Sequence, residues 1–440
     1  MLFRSTGTTI DAVLERAGTG RFQRRLLGVF GLVWTADAMQ VLAVGFTAAS
    51  IAATFGLTVP QALQTGTLFF LGMLIGAAVF GRLADRFGRR NILIGTVAMD
   101  AVFGLASVFA PDFQTLLLLR FLTGLAVGGT LPVDYAMMAE FLPPSRRGRW
   151  LVMLEGFWAV GTVIVALTAW AASVAGVADA WRVIFFVTAL PAIVGLFLRF
   201  WIPESPLHLM RQGREPEARA VMDKMLLVNG KEPMGETPLD AMPPARSEKL
   251  LSPELRRRTL LMLSVWFLVS MSYYGIFTWM PARLATEGFG FVRGYGFLVV
   301  VALAQIPGYA LAAYGVEKWG RRATLTRFLF LSAAACALFV VATTPALIAT
   351  ALLVMSFALL GTWGALYAFT PELYPTASRA TGMGAAGAMA RLGGLLAPSV
   401  LVYLFVQSTT AAIGLFAGLL VVAAFAAMSI DVETRKSALD

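Results

Sequence analysis

The chain has 440 residues, of which 58% are hydrophobic and only 14% are charged, and its mean hydropathy is +0.76. A soluble globular protein carries about a quarter charged residues, so this composition excludes an ordinary water-soluble fold. A single cysteine and a single histidine exclude a disulfide framework, a cysteine-ligated metal cluster and a two-histidine metal site. The meaning of the net charge of +10 depends on where the basic residues lie.

Apolar runs long enough to cross a bilayer follow one another along the whole chain. A membrane helix needs about 20 mainly apolar residues, and twelve stretches meet this requirement. The first 25 residues carry five arginines and no apolar run, so no cleavable signal peptide is expected. The sequence therefore predicts an all-α membrane protein with twelve transmembrane helices. The predicted spans are 26–55, 63–83, 91–110, 114–139, 150–175, 181–202, 259–284, 296–316, 323–343, 346–369, 381–406 and 409–430.

Basic residues concentrate in alternate loops and in both tails. Of the 35 lysines and arginines, the opposite set of loops holds only Arg182, Arg283 and Arg293. By the positive-inside rule, both termini and the long loop 203–258 are predicted to be cytoplasmic. The basic excess is thus explained by membrane topology, and no nucleic-acid partner is expected.

The long loop divides the chain into two halves of six spans each. It is rich in proline and charged residues and is predicted to be a linker, with a surface helix over 215–227. The predicted organisation is a cytoplasmic N-terminal segment (1–25), an N-terminal bundle (26–202), a cytoplasmic linker (203–258), a C-terminal bundle (259–430) and a cytoplasmic tail (431–440).

The two halves repeat each other at one fixed offset. The Gly-Arg-Arg sequence at 88–90 recurs at 320–322, and Glu140 recurs as Glu372, in each case 232 residues later. Two repeats of the same orientation imply a pseudo-twofold axis along the membrane normal, with a cavity between the halves at mid-membrane.

Several motifs identify a family resemblance. The Gly-Arg-Leu-Ala-Asp-Arg-Phe-Gly-Arg-Arg loop at 81–90 resembles the signature loop of the major facilitator superfamily, and the likeness covers the whole chain. The sequences at 120–129 and 203–206 resemble the branch that holds sugar porters, organic-ion transporters and synaptic vesicle glycoprotein 2 relatives. The sequences at 34–39 and 390–398 are most similar to bacterial metabolite:proton symporters of the niacin-permease type.

This resemblance implies alternating-access transport in two pseudo-symmetric six-helix bundles. It also implies a multi-pass protein of the bacterial inner membrane, without a cofactor, that uses the proton gradient as its driving force. A monomer that contacts protons, the lipid bilayer and a small organic acid is expected. Relatives of this type commonly carry an acidic residue at the position of Gln40.

Charged residues at the cytoplasmic helix ends are predicted to form a gate. Opposite charges there can hold the halves together in the outward-facing state and separate when the halves rock apart. A partly exposed ion pair contributes on the order of 1 kcal/mol, which is weak enough for a gate; the alternative is that these charges only set topology. The predicted gate residues are Asp85, Arg86, Arg89, Glu140, Arg147, Glu317, Arg321, Glu372 and Arg379.

Charges within the spans are a sharper functional signal, because each costs about 2.5–3.5 kcal/mol at mid-bilayer. Glu155, Asp134 and Asp37 are the predicted proton-coupling residues, since burial favours the protonated carboxyl group. Arg120 is a further charge on the fourth span, toward the outside. Asp100, near the middle of the third span, is interpreted as a peripheral structural contact.

Arg391 carries a fixed positive charge at mid-membrane and suits bidentate recognition of a carboxylate. Aromatic side chains at mid-helix could stack on a flat ring. We therefore expect a small aromatic or heteroaromatic carboxylate, with nicotinate (niacin) as the leading example from the resemblance; a sugar porter, an organic-cation porter and a drug/proton antiporter are the alternatives. The predicted substrate-binding residues are Arg391, Tyr273, Tyr274, Trp279, Gln305, Trp363, Tyr367, Gln40 and Trp158.

An enzyme is not expected. The sequence contains no nucleophile–base pair, metal cluster or cofactor motif at a membrane face, and no GxxxxGK[ST] sequence for ATP-driven transport. A protein that binds a ligand without transporting it would share the fold, and counterflow of labelled ligand separates that case from a carrier.

Overall fold

The computed structural model describes residues 8–195, 197, 202–235, 237–240, 249–287 and 294–434. Within these ranges the chain is helical, and its one β-type contact is an isolated parallel bridge between Thr8 and Leu239. The side chains of Asp85, Trp279 and Arg379, which the sequence analysis singled out, lie outside the described residues.

Twelve long helices correspond one for one to the twelve predicted spans, which confirms the predicted architecture. Nine of the described helices are long and apolar enough on their own to cross a membrane, and the helices Arg89–Ser107, Ala180–Gly195 and Thr376–Gln407 complete the two bundles. The N-terminal bundle comprises α1 (Arg21–Phe55), α2 (Gln64–Phe87), α3 (Arg89–Ser107), α4 (Phe113–Glu140), α5 (Arg147–Glu155, continued by Phe157–Val174) and α6 (Ala180–Gly195). The C-terminal bundle comprises α7 (Arg256–Glu287), α8 (Tyr295–Leu303, continued by Gln305–Lys318), α9 (Arg321–Val341), α10 (Pro345–Phe369), α11 (Thr376–Gln407) and α12 (Thr409–Met428).

Thr8 and Thr434, the first and last residues that the structure describes, lie on the same side of the molecule, which we call the terminal face. An N-terminal helix, Ile10–Ala17, lies there with the linker helix Glu215–Val228, which the sequence predicted over 215–227. The carboxylate of Glu15 in the N-terminal helix accepts hydrogen bonds from the backbone N–H and the hydroxyl of Ser145, at 2.7 and 2.9 Å. The opposite end is called the far face. The terminal face is the side that the positive-inside rule predicts to be cytoplasmic.

The repeated Gly-Arg-Arg sequence makes the same sharp turn in each half. Gly88 and Gly320 precede α3 and α9 with φ of 96° and 101°, a region that side chains disfavour. A Cβ atom at either position would also lie 2.6 Å from a carboxylate oxygen, of Glu204 in the first half and of Glu433 in the second. Both the backbone conformation and the nearby carboxylate therefore favour glycine at these two positions.

Helices α2 and α4 pack with their backbones in contact. A Cβ atom at Gly124 would lie 2.0 Å from the carbonyl oxygen of Phe69, and one at Gly128 would lie 2.1 Å from that of Met73. The Gly-x-x-x-Gly spacing of α4 thus permits a close approach, as small residues do between membrane helices.

We expect Gly128→Ala to lower the free energy of unfolding by about 1–3 kcal/mol, because the added methyl group must push α2 and α4 apart. Thermal unfolding of the purified protein in detergent measures this change. Gly95→Ala in α3 is the matched control, since nothing lies within 4 Å of its Cβ position. Equal unfolding temperatures for the two variants would contradict the close packing.

Candidate substrate and proton site

A cavity of about 1710 Å³ lies between the two bundles and reaches the terminal face. Its outer part is lined by charged residues of the helix ends, including Arg24, Arg146 and Glu372. Its inner end is lined by side chains from α1, α4, α7, α10 and α11, which come from both halves. These inner residues are Trp34, Tyr135, Trp266, Tyr367 and Arg391.

The far face is closed by contacts between the two halves. A Cβ atom at Gly45 of α1 would lie 2.6 Å from the backbone oxygen of Thr278 in α7, so these helices touch. The Tyr295 hydroxyl of α8 donates a hydrogen bond to the Phe46 carbonyl oxygen of α1 at 3.4 Å. The molecule is therefore open to the terminal face and closed to the far face.

Aromatic rings form a roof over the inner end of the cavity. The ring of Tyr367 lies 4.8 Å from that of Trp266, 5.3 Å from that of Tyr135 and 6.3 Å from that of Trp34, measured between centroids. The indole Nε1 of Trp34 is buried and makes no hydrogen bond. Of these four residues, the sequence pattern predicted Tyr367 only, although Trp34 lies one helical turn before Asp37.

Further predicted aromatic residues pack behind this roof rather than lining the cavity. Trp158 of α5 donates its indole N–H to the hydroxyl of Tyr273 in α7 at 2.8 Å, which joins the two halves. The ring of Trp363 lies 5.8 Å from that of Tyr273, and its Nε1 is buried without a partner. Tyr274 packs against Phe70 of α2, with ring centroids 4.7 Å apart.

Arg391 lies at the inner end of the cavity and is 7% exposed. Its Nη1 donates a hydrogen bond to the carbonyl oxygen of Gly387 on its own helix at 2.9 Å, and its Nε has no partner. Among the described residues, no carboxylate forms an ion pair with this guanidinium group. The positively charged side chain of Arg391 thus lines the cavity and has at least one N–H donor without a partner.

The three predicted proton-coupling carboxyl groups lie close together, next to Arg391. Glu155 is within electrostatic range of Asp134 and Arg391, and Asp37 is within range of the same two residues. All three side chains are buried, and both carboxylate oxygens of Asp134 lack a hydrogen-bond partner. None of the three lines the cavity in this state.

Arg120 is fully buried inside the N-terminal bundle. It donates hydrogen bonds to Gln40 at 2.9 Å, Ser107 at 3.0 Å and Thr123 at 2.9 Å, and its guanidinium carbon lies 4.4 Å from the ring centre of Phe185. Gln40, predicted to contact substrate, therefore accepts a hydrogen bond from Arg120 and does not line the cavity.

Gln305, also a predicted substrate-binding residue, lies on the closed side of the molecule. It lines a small void of about 20 Å³ together with Phe46 and Met280, and neither atom of its side-chain amide is hydrogen-bonded.

The predicted gate residues form ion pairs within each half rather than between halves. Arg89 pairs with Glu140 at 2.7 Å, and their repeat equivalents Arg321 and Glu372 pair at 3.0 Å. The pairs join α3 to α4 and α9 to the end of α10. In this state, which is open to the terminal face, no ion pair of the described residues links the bundles at the gate.

The remaining gate residues have separate surroundings. Arg147 lies 3.5 Å from Asp11 of the N-terminal helix, and Arg86 lies over the ring of Phe87. Glu317 is exposed at the cavity wall.

Each half adds a second support that the sequence analysis did not foresee. The hydroxyl of Ser205 donates to Glu140, and the hydroxyl of Thr434 donates to Glu372. The segment after α6 and the segment after α12 therefore brace the same ion pair in the two repeats.

Comparison with known proteins decides the family. The family model described as Major Facilitator Superfamily matches residues 27–398, and a second match covers 296–438. The chain belongs to the major facilitator superfamily. It is 36% identical over 397 residues to the niacin transporter NiaP of Acinetobacter baylyi, covering 89% of this chain and 90% of that protein. It is 30% identical to a synaptic vesicle 2-related protein of Xenopus laevis, covering 97% of this chain and 81% of the relative.

A solved structure of this superfamily has the same fold. The xylose transporter XylE of E. coli, in a partially occluded inward-open conformation, superimposes with a TM-score of 0.74 at 17% identity, covering 95% of this chain and all of that one. The resemblance inferred from the motifs is confirmed. The chain is a membrane-spanning transporter of a small molecule, and it is not an enzyme.

We expect the Arg89–Glu140 pair to show a coupling energy of about 1.5–3 kcal/mol, because both side chains are largely buried. A double-mutant cycle with Arg89→Gln and Glu140→Gln, measured by unfolding in detergent, gives this value. The exposed Arg214–Glu217 pair serves as the control, with an expected coupling below about 1 kcal/mol. Equal coupling in both cycles would refute the supporting role of the buried pair.

Proposed function

We propose that this transporter takes up a small aromatic or heteroaromatic monocarboxylate, such as nicotinate, together with protons. The observation that carries the proposal is the unpaired Arg391 at the inner end of a cavity roofed by aromatic rings. A guanidinium group binds a carboxylate through two parallel hydrogen bonds, and flat rings pack well against indole and phenol faces.

The hydrogen-bonding character of the inner cavity supports an acceptor-rich ligand. Among the described residues of the inner end, two buried polar atoms lack a hydrogen-bond partner, Nε of Arg391 and Nε1 of Trp34, and both are donors. A carboxylate and a ring nitrogen are both acceptors, so nicotinate complements these donors, whereas an amine or a carboxamide brings donors of its own. The 36% identity to a niacin transporter supports the same ligand.

Proton coupling is proposed from the carboxyl groups beside Arg391. Glu155, Asp134 and Asp37 are buried and incompletely hydrogen-bonded, and a buried carboxyl group in this condition readily holds a proton. A negatively charged substrate bound near these groups would make their carboxylate forms more costly. Binding of the substrate would therefore favour binding of a proton. The gradient is the driving force, and no cofactor takes part.

The proposed orientation places the terminal face in the cytoplasm of a bacterial inner membrane. The basic residues of the helix ends and of the loop 203–258 favour it by the positive-inside rule. The conformation is then inward-open, the state in which substrate leaves. A monomer suffices for the proposed mechanism, because the cavity is built from one chain.

We expect nicotinate to raise the unfolding temperature of the purified protein, and Arg391→Ala to weaken its binding about 10–100-fold through loss of a charged hydrogen-bonded partner. A thermal-shift panel of nicotinate, benzoate, nicotinamide, xylose and a quaternary amine measures this. Arg24→Ala, an exposed arginine in the wall of the same cavity, is the control and should bind nicotinate as the wild type does. Stabilisation by xylose or the amine alone, or nicotinate binding that survives Arg391→Ala, would contradict the proposal.

We expect at least one of Glu155→Gln, Asp134→Asn and Asp37→Asn to abolish uptake driven by a pH gradient while nicotinate exchange continues, because an amide binds neither more nor fewer protons as the pH changes. Proteoliposomes loaded with nicotinate allow both measurements on one preparation. Accumulation by all three variants would move the proton site elsewhere.

A further inference from the structure

The interior of the membrane domain holds more acids than bases. Away from the helix ends, the described residues include two buried arginines, Arg120 and Arg391, against four buried carboxyl groups. In a medium of low dielectric constant an uncompensated charge is costly, so a carboxyl group without a cationic partner is favoured there in its neutral form. The four carboxyl groups belong to Asp37, Asp100, Asp134 and Glu155.

These six groups form one continuous series of electrostatic neighbours. Asp134 and Arg120 lie 14 residues apart on α4, which separates their backbones by about 21 Å along the helix axis at 1.5 Å per residue. The series starts beside the cavity and ends inside the N-terminal bundle, toward the far face. In order, the neighbours are Arg391, Glu155, Asp134, Asp37, Asp100 and Arg120.

At the Arg120 end of this series, the arginine and the nearby carboxyl group are not joined directly by a hydrogen bond among the described contacts. Every hydrogen bond that Arg120 donates goes to a neutral acceptor, and Asp100 is the carboxyl group that acts on its charge. The position of a Cβ atom on Gly104 is 2.6 Å from Nε2 of Gln40 and 3.5 Å from Oδ1 of Asp100. The side-chain amide of Gln40 and the carboxyl group of Asp100 thus lie against the same glycine and interact with each other.

The groups that surround Asp100 come from three helices. Helix α1 contributes Gln40 and the carboxyl group of Asp37, and α4 contributes the guanidinium group of Arg120. Helix α6 contributes the methyl group of Ala189, 3.7 Å from the same Gly104 position, and no charge there. Asp100 therefore has one cation and one carboxyl group as charged neighbours among the described residues.

We propose that Asp100 is a proton-exchanging residue and that, with Gln40 and Arg120, it forms a second proton site away from the cavity. The inference extends the proposed proton-coupled function and rests on it. A proton leaves the carboxylic acid of Asp100 for the carboxylate of Asp37, and from there it reaches Asp134 and Glu155. Arg120 keeps its own proton throughout and neutralises the carboxylate that remains on Asp100.

The test compares Asp100→Asn, Asp100→Glu and the wild type in proteoliposomes with labelled nicotinate. Asp100→Asn should keep nicotinate exchange but lose accumulation under an imposed pH gradient by at least about tenfold, as expected when a positioned proton-transfer group is removed. Asp100→Glu should restore accumulation. Ser107→Ala is the control for packing, because it removes a neutral partner of Arg120 and no titratable group; it should keep the accumulation ratio of the wild type.

An infrared measurement gives a second reading that does not depend on transport. The difference between the infrared spectra in acidic and in alkaline buffer should contain a band of a protonated carboxyl group. Asp100→Asn should lack this band, and Asp100→Glu should shift it. If Asp100→Asn does not fold, the displacement in Asp100→Glu decides alone.

The second site is overturned if Asp100→Asn accumulates nicotinate as the wild type does, if Ser107→Ala loses accumulation to the same extent, or if the infrared band is unchanged. A wild-type protein that moves nicotinate without protons would instead refute the coupling itself. The two failures are therefore distinguishable.

Discussion

The cost of placing charge in the membrane interior governs the arrangement of this transporter. Among the described residues, two arginines are buried away from the helix ends, Arg120 and Arg391, and their surroundings differ. Arg120 is enclosed by three neutral acceptors and the ring of Phe185, so its donors are used inside one bundle. Arg391 lines the cavity, and its buried Nε is a donor without a hydrogen-bond partner. One arginine is thus held inside the N-terminal bundle, and the other lies where a ligand in the cavity can approach it.

The repeat explains why each bundle can move as a unit. The same ion pair, braced by a hydroxyl group from the segment that follows the sixth helix, ties the terminal-face ends of α3 and α4 in one half and of α9 and α10 in the other. These bonds do not cross between halves. Between the halves the far face is closed mainly by close packing, such as Gly45 against Thr278, which separates without breaking an ion pair. Rocking of two firm bundles about a central site is therefore compatible with the bonding.

The aromatic roof belongs to both bundles. Trp34 and Tyr135 come from the N-terminal half, whereas Trp266 and Tyr367 come from the C-terminal half. A ligand held by Arg391 against this roof would touch both halves at once. Its binding energy would then depend on how the halves are set, which is the condition for a ligand to shift a conformational equilibrium.

Several features of this protein follow from the sequence by itself. The twelve spans were predictable because the number of apolar residues needed to cross a bilayer is set by the thickness of the membrane, and each predicted span is one continuous stretch of the sequence. The repeat was visible because Gly88, Arg89 and Glu140 recur at one offset. The presence of charges in the spans, and their candidacy for function, followed from the cost of burying them.

The partner of each of those charges was decided only by the tertiary structure. Gln40 and Asp100 looked like a substrate contact and a peripheral residue, yet they lie together beside Arg120. Nothing in the sequence indicated that Tyr135 and Trp266 would line the cavity, and Trp34 was marked only by its place one helical turn before Asp37. A helix that is apolar on all sides carries little information about which face turns inward, because lipid and protein interior are equally apolar. Its rotation and tilt are set by packing against other helices, so the neighbours of a buried side chain emerge only when all twelve helices are in place.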